Sequence, residues 1–434
     1  MSDLDDETDT SCGEEQIVSD WEVRKEWLES ILSKYYKGKA VKVVEFNVNS
    51  GCTTSESVLS AITSVTVKYL AALTTITNKP TDKCKDSLII KQLPKDPFSR
   101  FFVTEGQFDL REIKFYTQVM PDLREFYKRQ IAKNNEDEYE NRIILPVPKC
   151  YHAHYSPAGG TDDSPVPPES MLVLSDLSEN YNSVEFSRGL TLDQAMAALD
   201  AIARIHAHSL SMKVIDGQSL SERYPFLFQT AKATDSYQQL VERGLPQLAR
   251  FLKSRPGLET ILKTLLVLRP RTKDIISALL APEGPLALIT HTDFWSNNLL
   301  FTNNRPPECR ILDWQMVTYS RPTNDVALLL VSSVPTELRR KYTKTLLDKY
   351  WDKLNWTCLR LGLNIVKDLG YTRKDLDKDY RKSQLLALLL CIGSVDVALG
   401  DPRTEQRLID VLEDLYNDGV LTDEAIIATN ETDS

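Results

Sequence analysis

Residues 290–301, THTDFWSNNLLF, set a histidine, an aspartate, a tryptophan and two asparagines at the head of an apolar run. Polar side chains beside a segment that reads as a buried strand are costly to order unless they have partners or chemistry to perform. Asp293 lies two residues after His291, and Asn298 five residues after Asp293. Asp313 ends a further apolar run, RILDWQ, beyond the turn-rich TNNRPPEC. Two carboxylates and an amide gathered about a hairpin suit phosphoryl transfer to a hydroxyl. One carboxylate would serve the acceptor, while Asn298 and Asp313 would hold Mg²⁺ against nucleotide phosphates.

The spacing HxDxxxxN followed by an Asp after a hairpin matches the catalytic loop and metal aspartate of protein kinases. The complementary half lies upstream. In DSLIIKQLP, Lys91 ends an apolar β-run, where a lone ammonium would be unfavourable. Glu112 follows on a predicted helix, FDLREIKFY, and is a fitting partner to aim Lys91 at the phosphates of ATP; its neighbour Arg111 would face elsewhere on the helix.

The elements that must position these residues can be read from periodicity. SDWEVRKEWLESILSKYYKG predicts an amphipathic helix capped by Ser19. VKVVEFNV (41–48), AITSVTVKYLA (61–71) and DSLIIKQL (86–93) read as strands of a small antiparallel sheet. A helix over 106–120, stopped by Pro121, follows, then strands over 142–155 and 169–177 joined by a Pro- and Gly-rich surface loop. From about residue 190 the pattern turns helical. Leu192, Ala195, Met196, Leu199, Ile202 and His206 share a stripe, and long helical stretches cover 236–281, 334–362 and 382–416. The expected fold is α+β and bilobal. A β-rich nucleotide-binding lobe would span 19–178 and end in a hinge at 171–178, and a helical lobe with catalytic loop and acceptor site would span 179–420. Residues 1–18 would be a disordered acidic tail and 421–434 a flexible one.

Taken together, HxDxWxxNxLF, LDWQ, IIKxLP, FxxREIxFY and the helix IARIHAHS resemble the ecdysteroid kinase-like proteins of arthropods, relatives of choline kinases and aminoglycoside phosphotransferases. The resemblance runs from about residue 40 to 415. It implies a protein-kinase-like fold, with ATP and Mg²⁺ as cofactors and an ecdysteroid, sterol-like or xenobiotic alcohol as acceptor. It implies that Asp293 is catalytic, that Asn298 and Asp313 bind the metal, and that Lys91, oriented by Glu112, contacts phosphate. Ser60 matches a serine at a strand start, and MLVLSDL, with Leu174 and Asp176, matches the hinge. The sequence departs from the family at the Gly-rich turn: SGCTTSESVLSAI holds only Gly51, so backbone approach to phosphate would be more restricted. Two alternatives follow, a choline- or ethanolamine-type kinase with a cationic acceptor and a non-catalytic binding protein of the same fold. A cationic acceptor would need an aromatic or acidic cage, for which Tyr350, Trp351 and Trp356 are candidates, though helix packing suits them better.

Other polar residues have plainer readings. His291 would shape the loop, and Trp295 would pack it against the helical lobe. Asp325, at the start of an apolar helix, would cap amides; related kinases suggest that it also braces the catalytic loop. His152/His154 and His206/His208 form two HxH pairs, but no cysteine or carboxylate cluster accompanies them, so zinc is not expected, and His206 reads as a core histidine. Seven scattered cysteines without a CxxC fit a reducing compartment. No signal peptide or apolar span is evident, so a cytoplasmic location is expected and the Asn355 sequon reads as chance. Seven acids and no base fall within residues 1–15, where most of the net charge of −10 resides. No basic face points to nucleic acid, and neither a membrane nor a protein partner is indicated.

Overall fold

The computed structural model describes residues 21–50, 59–72, 82–133, 144–161, 164–281 and 284–422. The acidic tail, most of the stretch aligned with the Gly-rich turn, Cys12 and Cys52 lie outside them.

Helix α1 (Lys25–Tyr35) precedes strands β1 (Val41–Ser50), β2 (Ala61–Ala71) and β3 (Asp82–Gln92). After a helical run come β4 (Cys150–Ser156), the short hairpin β5 (Gly159–Thr161) and β6 (Ser164–Val166), and β7 (Glu169–Ser175). The main sheet is antiparallel throughout, in the order β1-β2-β3-β7-β4. Alternation decides which way its residues point. Val65, Val67 and Tyr69 of β2 and Leu88 and Ile90 of β3 are buried on one face, against Leu28, Ile31 and Leu32 of α1. The period of two then turns Lys91 to the opposite face.

Several boundaries differ from expectation. α1 starts at Lys25 after Arg24, not at Ser19, which is not described; Trp21 and Val23 pack on the same core as extended chain. The predicted helix over 106–120 is part of a longer run: α2 (Pro97–Glu105), α3 (Phe108–Lys114), a π turn (Phe115–Val119) and α4 (Met120–Lys133). Asp96 caps α2 by accepting the amide of Ser99 at 2.7 Å. Pro121 does not end this run, because the register of the hydrogen-bond ladder shifts in the π turn just before it. Residues 144–149 are not strand, since Pro146 and Pro148 cannot donate to a ladder.

The helical lobe is built on α5 (Leu192–Asp216), which a Thr191/Gln194 capping box starts. It continues with α6 (Leu220–Arg223), α7 (Thr230–Lys253), α8 (Glu259–Leu268) and α9 (Thr272–Leu280). The single stretch expected over 236–281 is thus three helices, broken at Pro256-Gly257 and at the 3₁₀ turn around Pro270. Two short hairpin partnerships follow: β8 (Leu288–Thr290) pairs with β11 (Thr318–Ser320), and β9 (Leu299–Phe301) with β10 (Cys309–Ile311). The chain ends with α10 (Thr323–Ser333), α11 (Thr336–Arg360), α12 (Ile365–Leu369), α13 (Arg373–Gly393), α14 (Val395–Ala398) and α15 (Pro402–Asn417). The fold is bilobal and α+β, with an antiparallel sheet lobe and a helical lobe. Among the described residues no helix is long and apolar enough to cross a membrane.

Candidate active site

Lys91, Glu112 and Asp313 meet between the lobes. The Lys91 ammonium lies 2.7 Å from Glu112 Oε2 and 2.9 Å from Asp313 Oδ1. Burial works against the lysine's charge, but Asp313 and then Glu112 outweigh it and hold the group above its usual range, firmly protonated. Glu112 is itself pushed up to about 7, first by burial, with Lys91 opposing. It has a second task, because its Oε1 accepts the backbone amide of Trp314 at 3.2 Å. The Trp314 ring stacks on Phe115 at 3.9 Å, so the helix bearing Glu112 also grips the residue after Asp313. Arg111 turns away from Lys91; its buried Nε and Nη1 find no partner.

The loop after β8 is held from three sides. Asp325 Oδ2 accepts the amide of His291 at 2.8 Å, and its Oδ1 accepts that of Thr292 at 2.7 Å. Thr292 and Asp313 both adopt left-handed backbone, at φ 65° and 56°, which non-glycine residues occupy at a cost. Asp325 also accepts the Nε2–H of His206 at 3.0 Å, and His206 Nδ1 meets the Tyr350 hydroxyl at 2.8 Å. His206 is therefore a fully partnered core histidine. Asp325 sits in the first turn of α10 but spends both oxygens on the loop and His206 rather than on capping that helix, so the capping expectation is corrected. His291 donates from Nε2 to the Leu312 carbonyl at 2.8 Å and accepts the Asp293 amide on Nδ1 at 3.2 Å. With both ring nitrogens committed, His291 has a shaping role.

Asp293 is partly buried at the edge of the cleft. Asn298 Nδ2 donates to its carbonyl and to its Oδ2, at 2.9 and 2.8 Å. Burial raises the Asp293 pKa, and Asp313 adds to the rise, while His291, Asn298 and Trp295 pull the other way. Asn298 donates through its nitrogen, and Asp313 engages Lys91 with one oxygen; among the described residues no donor meets the Asn298 amide oxygen or the second Asp313 oxygen. Two uncommitted hard oxygens fit Mg²⁺, which takes one or two protein ligands and completes its shell with water and phosphate.

The other predicted residues fall nearby in unequal measure. Ser60 precedes β2; its Oγ donates to the Leu59 carbonyl at 2.8 Å and accepts Gln315 Nε2 at 3.1 Å. With Lys91, Glu112 and Gln315 it lines a narrow space between sheet and α3. Leu174 pairs with Ile89 in the sheet and has its side chain in the core. Asp176 closes a turn by accepting the amide of Ser178 at 2.8 Å. Trp295 packs edge-on against Phe186 at 5.5 Å and also lines a pocket beside Asp293.

Most of that pocket's wall is apolar, with Leu328, Val331, Leu390, Leu408 and Val411. Most of the wall comes from residues between 328 and 411. Its one basic residue is Arg407, which sequence reading missed; the signal was helical spacing, since Thr404, Arg407, Leu408 and Val411 share a face of α15. The proposed cage residues lie elsewhere. Tyr350 is bonded to His206, Trp351 packs against Tyr371 at 6.2 Å, and Trp356 is exposed beneath Lys353 and Arg360. His152 packs on Trp27, His154 is exposed near Glu169, and buried His208, pushed down to about 4 by burial, bonds to the Arg204 carbonyl.

Comparison with known proteins adds family evidence. A family model for the ecdysteroid kinase-like family matches residues 54–363. A curated relative from the nematode Caenorhabditis elegans, named uncharacterized oxidoreductase dhs-27, is 23% identical over 292 residues. The match covers 61% of this chain and only 32% of that relative, so the chain spans about a third of its length. Among solved structures, choline kinase from Cryptosporidium parvum is 11% identical with a TM-score of 0.44, over 93% of this chain and 100% of that one. Ethanolamine kinase from Plasmodium vivax is 11% identical with a TM-score of 0.40, over 89% and 87%. An aminoglycoside phosphotransferase from Streptomyces rimosus, solved with ADP and streptomycin, is 12% identical with a TM-score of 0.33, over 68% and 89%.

Proposed function

The chain belongs to the ecdysteroid kinase-like family, and from that premise and the geometry of its cleft we propose that it is an ATP-dependent kinase of small apolar alcohols. The observation that carries this reading is one convergence: the Lys91–Glu112–Asp313 cluster, the braced Asp293 loop and an apolar pocket opening on Asp293. The apolar wall suits an acceptor with an apolar body, such as an ecdysteroid or another sterol-like or xenobiotic alcohol.

In this reading Lys91 binds the donor phosphates, and Glu112 keeps its ammonium aimed and charged. Asn298 and Asp313 would hold Mg²⁺, whose chemistry when bound is to neutralise triphosphate charge. Asp293 orients the acceptor hydroxyl and takes its proton. The acceptor oxygen bonds to the γ-phosphorus, the bond to the β–γ bridging oxygen breaks, and ADP departs with that electron pair. The raised pKa of Asp293 makes it a better base than an exposed aspartate.

A cationic acceptor such as choline fits less well, because the pocket offers the Arg407 cation and no carboxylate besides Asp293. The oxidoreductase name of the nematode relative is not carried over, since two thirds of that protein lie outside the matched stretch. The test is Mg-ATP consumption with a panel of sterol, aryl and straight-chain alcohols, products read by mass shift, in wild-type and Asp293→Asn protein. Wild-type turnover that persists unchanged in the variant refutes the assigned base, and absence of both nucleotide binding and turnover refutes the kinase reading.

A further inference from the structure

Arg407 is the only charged side chain besides Asp293 among the described residues lining the apolar pocket. It sits on α15 and is 7% exposed. Its Nη2 donates to the Phe186 carbonyl at 2.8 Å, and the guanidinium lies over the Phe186 ring at 4.5 Å. No carboxylate among the described residues forms an ion pair with it. By contrast, equally buried Arg339 of α11 is paired with Asp414 of α15 at 2.7 Å. A guanidinium carries five N–H donors and stays protonated in proteins; here Nη2 donates to the Phe186 carbonyl, and among the described residues no other acceptor meets the group. Burying such a charge without a counter-ion is unfavourable, and an anion that enters the pocket relieves it. Asp293, Cys391 and Arg407 line the same pocket, so one ligand in it meets both charged groups.

We propose that the preferred acceptor is an apolar alcohol bearing a carboxylate, which pairs with Arg407 while its hydroxyl faces Asp293. This rests on the pocket being the acceptor site. The competing role for Arg407, a structural tie between α15 and the Phe186 segment, gives no preference for acids.

The test uses the full chain and two acids, lithocholic acid and ω-hydroxypalmitic acid, each against its methyl ester. Affinities are measured by calorimetry without nucleotide, and ADP release is then followed with Mg-ATP. For at least one scaffold the wild type binds the acid about tenfold more tightly than the ester, a preference that shrinks with added salt. Arg407→Met abolishes the preference through lost acid affinity, and Arg407→Lys keeps part of it. Equal acid and ester affinities in the wild type, no binding of any probe, or a preference surviving in Arg407→Met would overturn the proposal. If Arg407→Met fails to fold, the wild-type ratio and its salt dependence decide the matter. An acid preference with neither nucleotide binding nor turnover leaves the carboxylate subsite standing and sinks the kinase reading; an ester phosphorylated with no acid preference does the reverse.

Discussion

Lys91 and Asp313 stand 2.9 Å apart although 222 residues separate them, and Glu112 closes the triangle at 2.7 Å from the lysine. Glu112 also accepts the Trp314 amide, so one carboxylate orients the lysine and pins the backbone beside Asp313. The electrostatics of the cleft thus depend on sheet, α3 and the β10 end being in register together.

Removing the lysine leaves two carboxylates facing each other. Lys91→Met is expected to lower kcat/KM for ATP by on the order of 10²-fold or more. It also lowers the melting temperature, most above neutrality. Glu112 then lacks its cation and rises further, so its ionised form is destabilising at high pH and the penalty fades as acid protonates it. Glu112→Gln keeps an acceptor for the Trp314 amide and should be milder than Glu112→Ala. Equal losses in the two variants would show that the second bond contributes nothing.

Asp293 sets function against stability. Its folded pKa is raised, so the folded chain binds more protons than the unfolded one between the usual aspartate range and that raised value. Stability contributed by this group therefore falls as pH rises through that window. Asp293→Asn should cut turnover by on the order of 10²–10⁴-fold. It should also raise the melting temperature at neutral pH, by an amount that vanishes near pH 4. Melting curves across pH read the sign directly, and a variant less stable than wild type at neutral pH contradicts it.

Asp325 supports the loop without touching the pocket. Asp325→Ala strips the His291 and Thr292 amides and the His206 ring of their acceptor, and leaves the left-handed Thr292 unsupported. A loss of at least about 3 kcal/mol in urea unfolding is expected, since each orphaned buried donor costs about 1–3 kcal/mol. Asp325→Asn, which keeps one oxygen, should fall between the two. Nucleotide affinity should change less than kcat, because Lys91 is held by other residues.

Some of this was legible from residue order and some was not. Period-two alternation was enough to place Lys91 opposite Leu88 and Ile90, and the loop from His291 to Asn298 is local, so its groups could not fall far apart. Partnerships with backbone groups left no trace, because every residue carries the same amide; that hid the Glu112–Trp314 bond. The helix through Pro121 was misread because the π turn that accommodates it is decided by packing. Arg407 and Phe186 meet across 221 residues, and neither belongs to a motif that would have linked them.

Steric filling tests the pocket independently of charge. Ala398 lies on α14 and lines the pocket beside Asp293, not the space lined by Lys91 and Glu112. It is only partly buried, so a larger side chain there extends into open space more readily than at fully buried Val331. Ala398→Phe should raise the acceptor KM by about tenfold or more, as expected for displacing an apolar ligand from part of its wall. ATP affinity, measured by titration without acceptor, should stay within about twofold, because uniform loss of acceptor binding leaves the phosphate-binding residues alone. If the variant instead weakens ATP and leaves acceptor KM unchanged, the pocket beside Asp293 is not where the alcohol binds.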